Sequence, residues 1–168
     1  MTGEPTRQDT QATARLTHVD ERGAAHMVDV SGKPVTTRAA TASGLLRTTP
    51  EVVALLRGEG VPKGDALAVA RIAAVLGAKR TAELVPLCHP LPLHAVDVEL
   101  EVVDEGVRIE VTARTAERTG VEMEALTGVA VAGLALIDMV KAVDRASVLT
   151  DIRVDRKSGG RSGTWERV

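Results

Sequence analysis

Residues 120–147, GVEMEALTGVAVAGLALIDMVKAVDRAS, decide the fold because they are typical of one long buried helix. No charged residue lies between Ala125 and Ile137, so other elements can cover this stretch on several sides. Charged residues flank the run at both ends: Glu122, Glu124, Asp138, Lys141 and Asp144. We therefore predict a core helix. The charged residues at its two ends are not explained by burial and are candidates for a functional role.

The other elements follow from periodicity and turn residues. Pro50 suits the first turn of a helix, and Asp65 suits the N-cap of the next one. Residues 26–33 and 34–46 are predicted to be strands that pair as a hairpin about Gly32. The remaining predicted strands are 94–103, 106–115 and 147–154, and the prolines at 86, 90 and 92 predict a rigid loop before them.

The second hairpin alternates apolar and polar residues with a period of two. Placing Val102 opposite Ile109 puts the valines and isoleucine of both strands on one face and leaves Glu105-Gly106 as the turn. The other face is predicted to meet water and carries Asp97, Glu99, Glu101, Arg108, Glu110 and Arg114.

The order of these elements predicts an α+β fold, a ferredoxin-like, largely antiparallel sheet with helices packed on one face. Residues 1–15 have almost nothing to bury and are predicted to be a disordered N-terminal arm. Residues 16–168 are predicted to form a single catalytic domain with a flexible basic tail from about residue 157.

Composition narrows the function classes. With no Phe or Tyr, one Trp and a net charge of −2, the chain lacks both aromatic stacking platforms and a basic surface, so we expect no nucleic-acid partner. The longest uncharged run is short for a bilayer crossing, so we expect no membrane partner. One Cys excludes an internal disulfide framework, and the N-terminus lacks the build of a secretory signal. A cytoplasmic location fits best.

The charged ends of the long helix allow two interpretations each. Asp138 and Lys141 are neighbours on a helical surface, and they form either an exposed ion pair or part of a site. Glu122 and Glu124 would point to one side of an extended segment and raise each other's pKa. Alternatively, they are simply two acids favoured by the dipole at a helix N-terminus.

Cys88-His89 lies in the proline-rich loop, which would hold a ligand-binding His rigidly or bury a small Cys. No zinc-site spacing is present, so we predict no metal site. Lys63 precedes a helix start and could face an anion or be merely solvated. Lys157 and Arg161 stand among glycines without the order of a P-loop, and composition alone favours a disordered tail.

Taken together, several segments resemble the MoaC family, the cyclic pyranopterin monophosphate synthases of molybdenum cofactor biosynthesis. The similarity covers roughly residues 15–163, and the order of three motifs is specific to it: LCHPL, GVEMEAL and DMVKA. Further similar segments are HMVDVSGK, TTRAATASG, PKGDALAVARIA and DIRVDRKSGGRSG.

The resemblance implies a ferredoxin-like lyase that converts (8S)-3',8-cyclo-7,8-dihydroguanosine 5'-triphosphate into cyclic pyranopterin monophosphate and pyrophosphate. It implies a homohexamer, a trimer of dimers, with active sites at the dimer interfaces. No cofactor is expected to be required, although Mg²⁺ can accompany the triphosphate. The shared pocket would explain the charged helix ends.

Carried over by motif, Asp138, Lys141 and Lys63 match catalytic positions, with the lysines as general acid or base. Lys157 matches a basic residue near the triphosphate, and Arg161 stands where a lysine is common in the family, so the charge is kept. Six residues match or adjoin substrate-contacting segments: Leu87, Cys88, His89, Glu122, Met123 and Glu124.

Two other function classes compete with the enzyme. A nucleotide-binding module without catalysis would use the same fold, but such a homologue would be expected to lose the Asp and Lys residue types that are present here. A purely structural assembly protein would not bind a guanine nucleotide triphosphate.

Overall fold

The computed structural model describes residues 16–58 and 65–168. The predicted N-terminal arm and Lys63 lie outside the described residues. The elements in chain order are β1 Thr36–Arg47, α1 Pro50–Arg57, α2 Ala66–Lys79, α3 Thr81–Leu84, β2 Ala95–Val103, β3 Gly106–Glu117, α4 Glu122–Val140, β4 Val148–Ser158 and β5 Trp165–Glu166.

The strands form one sheet in the order β2-β3-β1-β4-β5, and every pair is antiparallel. Without the short β5, the path is strand, helices, two strands, helix, strand, which is the ferredoxin-like arrangement. Helices α1, α2 and α4 pack on one face of this sheet. The predicted fold class is therefore confirmed.

The core lies between the sheet and the helices and is built from aliphatic side chains, as a chain without Phe or Tyr requires. Strand β1 contributes Ala40, Ala42 and Leu46, which alternate with residues of the other face. The largest fully buried side chains are Leu46, Ile109 and Leu136. Small residues let α4 approach the sheet closely.

Both helix starts are confirmed. Pro50 occupies the first turn of α1. The Asp65 carboxylate accepts a hydrogen bond from the Ala68 amide at 2.9 Å, which satisfies one of the unpaired donors at the start of α2.

The predicted register of the β2–β3 hairpin is wrong. Val102 pairs with Val107 rather than Ile109, and the turn is Asp104-Glu105. Both registers put the same side chains on the same face, so alternation alone cannot distinguish them. In the observed register, Val103 pairs with Gly106 next to the turn. The outer face is charged as predicted, with Arg108 bound to Glu101 at 2.6 Å.

The predicted strand at residues 26–33 and its hairpin about Gly32 are also wrong. This segment is irregular, and the Asp29 carboxylate accepts from the Ser31 amide at 2.8 Å, a local bond that competes with a strand ladder. Strand β1 pairs instead with β3 and β4.

The long helix is the centre of the fold. Within α4, Gly128 lies against Val111 and the Ala74 carbonyl, so its small size serves packing inside the subunit. The helix is long and apolar enough to cross a membrane by length and composition, which the uncharged run alone is not. It is nevertheless a core helix here, since 56% of its most apolar window is buried.

Asp144, just beyond α4, has a structural role. Its carboxylate accepts hydrogen bonds from Thr48 Oγ1 at 2.8 Å, Ser147 Oγ at 2.9 Å and the Ala146 amide at 2.8 Å. These hydrogen bonds, of which the one from Thr48 has the largest effect, hold the pKa of Asp144 below its ordinary value. One of the charges at the helix end therefore ties the following turn to the end of β1.

The C-terminal strands extend further than the sequence predicts. Strand β4 runs to Ser158, and β5, which the sequence analysis missed, pairs Trp165 with Lys157. The basic segment after Lys157 is thus placed beside the start of β1. The mobility of the tail stays a prediction.

Candidate active site

Six of the predicted substrate-binding residues line one cavity of about 370 Å³, which we call the Cys-His cavity. The proline-rich loop and the first turn of α4 face each other across it. Its lining includes Leu87, Cys88, His89, Glu122, Met123 and Glu124. The structure therefore brings together two motifs that are more than thirty residues apart in the sequence.

Glu124 is the buried acid of this cavity. Glu124 is only 4% exposed. Burial, and to a smaller extent the nearby charge of Glu122, raise the pKa of Glu124 to about 7. Of the two interpretations, the helix N-terminus is confirmed, because α4 begins at Glu122 and residues two apart on a helix point to different sides. The raised pKa thus has burial as its main cause and repulsion as a smaller one.

Cys88 shares the cavity as a half-buried thiol. Burial, with the nearby Glu124 carboxylate as a second cause, raises the pKa of Cys88. The thiol is therefore the stable form, and it can donate only a weak hydrogen bond. This environment suits a neutral polar ligand rather than a thiolate nucleophile.

A second cavity, of about 690 Å³, lies beside the first, and we call it the cationic cavity. Lys157 and Arg161, which the resemblance places near the triphosphate, both line it. Sequence reasoning missed three further cations on its wall: Lys33, Arg38 and Arg118. Five positive side chains around one cavity favour a ligand with several negative charges.

Arg38 is held in place by the backbone around it. Its Nε donates to the Glu117 carbonyl at 2.7 Å, and Nη2 donates to the Arg118 carbonyl at 3.2 Å. Among the described residues, the buried Thr36 Oγ1 on the same wall has no hydrogen-bond partner. A fixed guanidinium and an unsatisfied hydroxyl on the wall of one cavity are typical of a site prepared for a ligand.

Gly160 makes room for that guanidinium. A Cβ added to Gly160 would lie 2.2 Å from Arg38 Nη1, and its φ of +70° also disfavours a side chain. We expect Gly160→Ala to weaken binding of inorganic pyrophosphate by about tenfold or more, as measured by calorimetry.

Gly163→Ala is the matched control for this change. Gly163 has a similar φ of +63°, but an added Cβ would meet nothing within 4 Å. Gly163→Ala therefore has the same backbone strain without the steric clash, and its affinity for inorganic pyrophosphate should stay close to that of wild type. Equal losses in the two variants would contradict a specific role for the space above Arg38.

The two cavities are continuous. Lys33, Thr119, Gly120 and Glu122 line both of them. One ligand can therefore place a polar ring against the buried acid and the thiol while a polyanionic arm lies among the cations. This arrangement separates hydrogen-bonding groups from charge-neutralising groups along a single groove.

The predicted catalytic pair lies elsewhere. Lys141 Nζ donates to Asp138 Oδ1 at 2.5 Å, and both side chains are more than half exposed. Asp138 and Glu124 are on the same helix, about 21 Å apart at 1.5 Å per residue. One copy of the chain therefore does not bring this pair to the Cys-His cavity, and Lys63 lies outside the described residues.

Metal ligands do not cluster in the part of the chain that the structure describes. Within residues 16–58 and 65–168, no group of three or more His, Cys, Asp or Glu side chains is arranged to hold a metal ion.

Comparisons with known proteins agree with the motifs that line these cavities. The sequence model of the MoaC family matches residues 27–160. A cyclic pyranopterin monophosphate synthase of Streptomyces griseus is 62% identical over 100% of this chain and 96% of that protein. One from Streptomyces coelicolor is 64% identical over 91% of this chain and 90% of that protein. Cyclic pyranopterin monophosphate synthase 2 of Mycobacterium tuberculosis is 56% identical over 92% of this chain and 93% of that protein. The chain belongs to the MoaC family.

Proposed function

We propose that this chain is a lyase that converts (8S)-3',8-cyclo-7,8-dihydroguanosine 5'-triphosphate into cyclic pyranopterin monophosphate and releases pyrophosphate. Family membership and the names of the relatives support this early step of molybdenum cofactor biosynthesis. The observation that carries the proposal is the continuous groove, whose two parts match the purine-derived ring and the triphosphate of this substrate.

Ring opening and pterin formation require several proton transfers. Lys141 and Lys63 act as general acid or base in this proposal, and Asp138 orients Lys141 through the hydrogen bond between them. Glu122 and Glu124 hold the amino groups of the purine-derived ring. A carboxyl with a pKa of about 7 can be either protonated or ionised at neutral pH, which suits a changing ligand.

Pyrophosphate departure requires cations at the phosphate oxygens. Lys157 and Arg161 supply two of them, and Arg38 adds a guanidinium that is already oriented. His89 stands in the neighbouring cavity as a further candidate donor. No resident cofactor is required in this account, and Mg²⁺ can enter with the triphosphate.

We also propose that the working unit contains more than one copy of the chain. The distance along α4 separates Asp138 and Lys141 from the Cys-His cavity, so a second copy must supply the pair to each groove. A homohexamer built as a trimer of dimers agrees with this requirement. We place this enzyme in the cytoplasm, as the sequence analysis expects.

Turnover of the purified protein tests the proposed reaction. The pterin product is followed by mass spectrometry, and pyrophosphate release is measured in parallel. Formation of both products in equal amounts is the expected result. Bound but unchanged substrate would favour the nucleotide-binding module, and absence of binding would favour a structural assembly protein.

A further inference from the structure

The C-terminal residues fold back onto strand β4 and close a loop beside the cationic cavity. Strand β4 ends at Ser158, and β5 returns alongside it with Trp165 paired to Lys157. Between the two strands lie residues 159–163, GGRSG, which we call the glycine-rich loop. This loop carries Arg161, and together with Lys157 it forms part of the wall of the cationic cavity.

The glycine-rich loop has few contacts of its own that fix its conformation. Three of its five residues are glycines with positive φ, and glycine loses more backbone freedom on ordering than any other residue. Within the loop, the Gly163 amide donates to the Gly160 carbonyl at 3.2 Å, and Ser162 Oγ accepts a hydrogen bond from Lys157 Nζ. The position of Arg161 therefore depends on what holds the two ends of the loop.

Arg167 holds the returning strand against β4. Its amide donates to the Asp155 carbonyl at 2.7 Å, and its Nε donates to the Val154 carbonyl at 2.8 Å. Its guanidinium also lies over the Trp165 ring, 5.5 Å from the ring centre. Strand β5 is only two residues long, and so short a strand near a chain end frays unless other contacts hold it. We call Trp165 and Arg167 the C-terminal clip.

We propose that the C-terminal clip positions Lys157 and Arg161 for binding the phosphate groups of the substrate and of pyrophosphate. The clip keeps β5 in register with β4, and this register fixes both ends of the glycine-rich loop. Without the clip, the loop has the mobility that the sequence predicts for the tail, and a ligand must order the loop as it binds. The inference rests on the proposed function and adds two residues that act on its anion-binding wall.

The clip acts through the loop rather than through the core or the ligand. Trp165 is 43% exposed, and the core of the described chain is built from elements that precede β5. Trp165 and Arg167 lie outside the lining of the cationic cavity, so they are positioning residues and not ligand contacts. Loss of the clip should therefore weaken anion binding while the free energy of unfolding stays close to that of wild type.

Calorimetric binding of inorganic pyrophosphate to the full-length protein tests the clip. Arg167→Ala should weaken binding by about tenfold, and Arg167→Lys, which keeps a cation over the Trp165 ring, should restore most of the affinity. Arg153→Ala is the matched control, because it removes the same charge from β4 but breaks only an exposed ion pair with Asp155 at 3.0 Å. Its affinity should stay close to that of wild type. Equal losses in the two Ala variants would reduce the effect to net charge and overturn the proposal.

The fluorescence of Trp165 gives a second readout, since it is the only Trp of the chain. In Arg167→Ala the ring loses the guanidinium that covers one of its faces, so acrylamide should quench its emission more strongly than in wild type. A second pair of variants approaches the clip from the ring. Trp165→Ala should lose pyrophosphate affinity as Arg167→Ala does, and Trp165→Phe should keep it. Equal affinities of Trp165→Ala and Trp165→Phe would contradict the ring contact as part of the clip.

Turnover separates this inference from the proposed function. In Arg167→Ala the KM for the substrate should rise by about tenfold while kcat changes little, because the bound ligand orders the loop. An active wild type together with an unchanged KM in Arg167→Ala would reject the clip and leave the lyase reaction standing. Weaker pyrophosphate binding by Arg167→Ala in a protein without turnover would keep the clip and remove the reaction.

Discussion

Lys141→Ala is expected to lower turnover by roughly 10³-fold, within the range that a lost general acid or base costs. The Lys141 side chain is 55% exposed and donates a hydrogen bond to Asp138 at the surface, so its removal leaves the core untouched. Steady-state turnover measures the loss, and far-ultraviolet circular dichroism should show an unchanged helix content.

Arg57→Ala is the control for this change. Arg57 also forms an exposed ion pair, with Asp104 at 2.7 Å, at the end of the β2–β3 hairpin. Its loss should leave turnover near the wild-type value, because exposed pairs contribute little to stability. Turnover of Lys141→Ala within tenfold of wild type would remove Lys141 from the proposed mechanism.

Glu124 should make the fold less stable as the pH rises from about 4.5 to about 7. The pKa of this carboxyl is about 7 in the folded chain against an ordinary 4.5, so the folded state holds its proton longer than the unfolded state does. Deprotonation of the unfolded chain then favours unfolding, and the effect levels off above pH 7. A shift of this size corresponds to about 3 kcal/mol.

Glu124→Gln isolates this effect. Glutamine has a similar shape and does not titrate, so subtracting its unfolding free energy from that of wild type at each pH cancels the other groups. The difference should fall by about 3 kcal/mol between pH 4 and pH 8 in denaturant unfolding at one protein concentration. Parallel curves for the two proteins would mean that Glu124 is not buried as an acid.

The sequence predicts the elements that depend on local pattern. The helix cap at Asp65, the uncharged run of α4 and the alternating β2 and β3 are each visible in a short window. The strand prediction for residues 26–33 is wrong because the Asp29 side chain accepts a local hydrogen bond and forms a turn in place of strand pairing. The predicted register of the β2–β3 hairpin is wrong because two registers share the same alternation of apolar and polar residues.

The candidate site was only partly visible in the sequence. Motif order identified six of the residues that line the Cys-His cavity, but the burial of Glu124 depends on tertiary packing that no local pattern reveals. Arg38 could have been found, since it has the same alternation as the buried Ala40 and Ala42 of β1. A charge on the core side of a strand indicates a functional role for that residue.

In the proposed enzyme, each active groove combines residues of two copies of the chain. Mixing Lys141→Ala and Glu124→Gln subunits, exchanged by refolding them together, tests it directly. Half of the dimers in an equal mixture are hybrids, and each hybrid has one groove with both residues intact, so about a quarter of wild-type turnover should return. Asp138→Ala mixed with Lys141→Ala should recover nothing, because one copy supplies both residues to each groove. A Lys141→Ala and Glu124→Gln mixture no more active than its separate components would contradict the shared site.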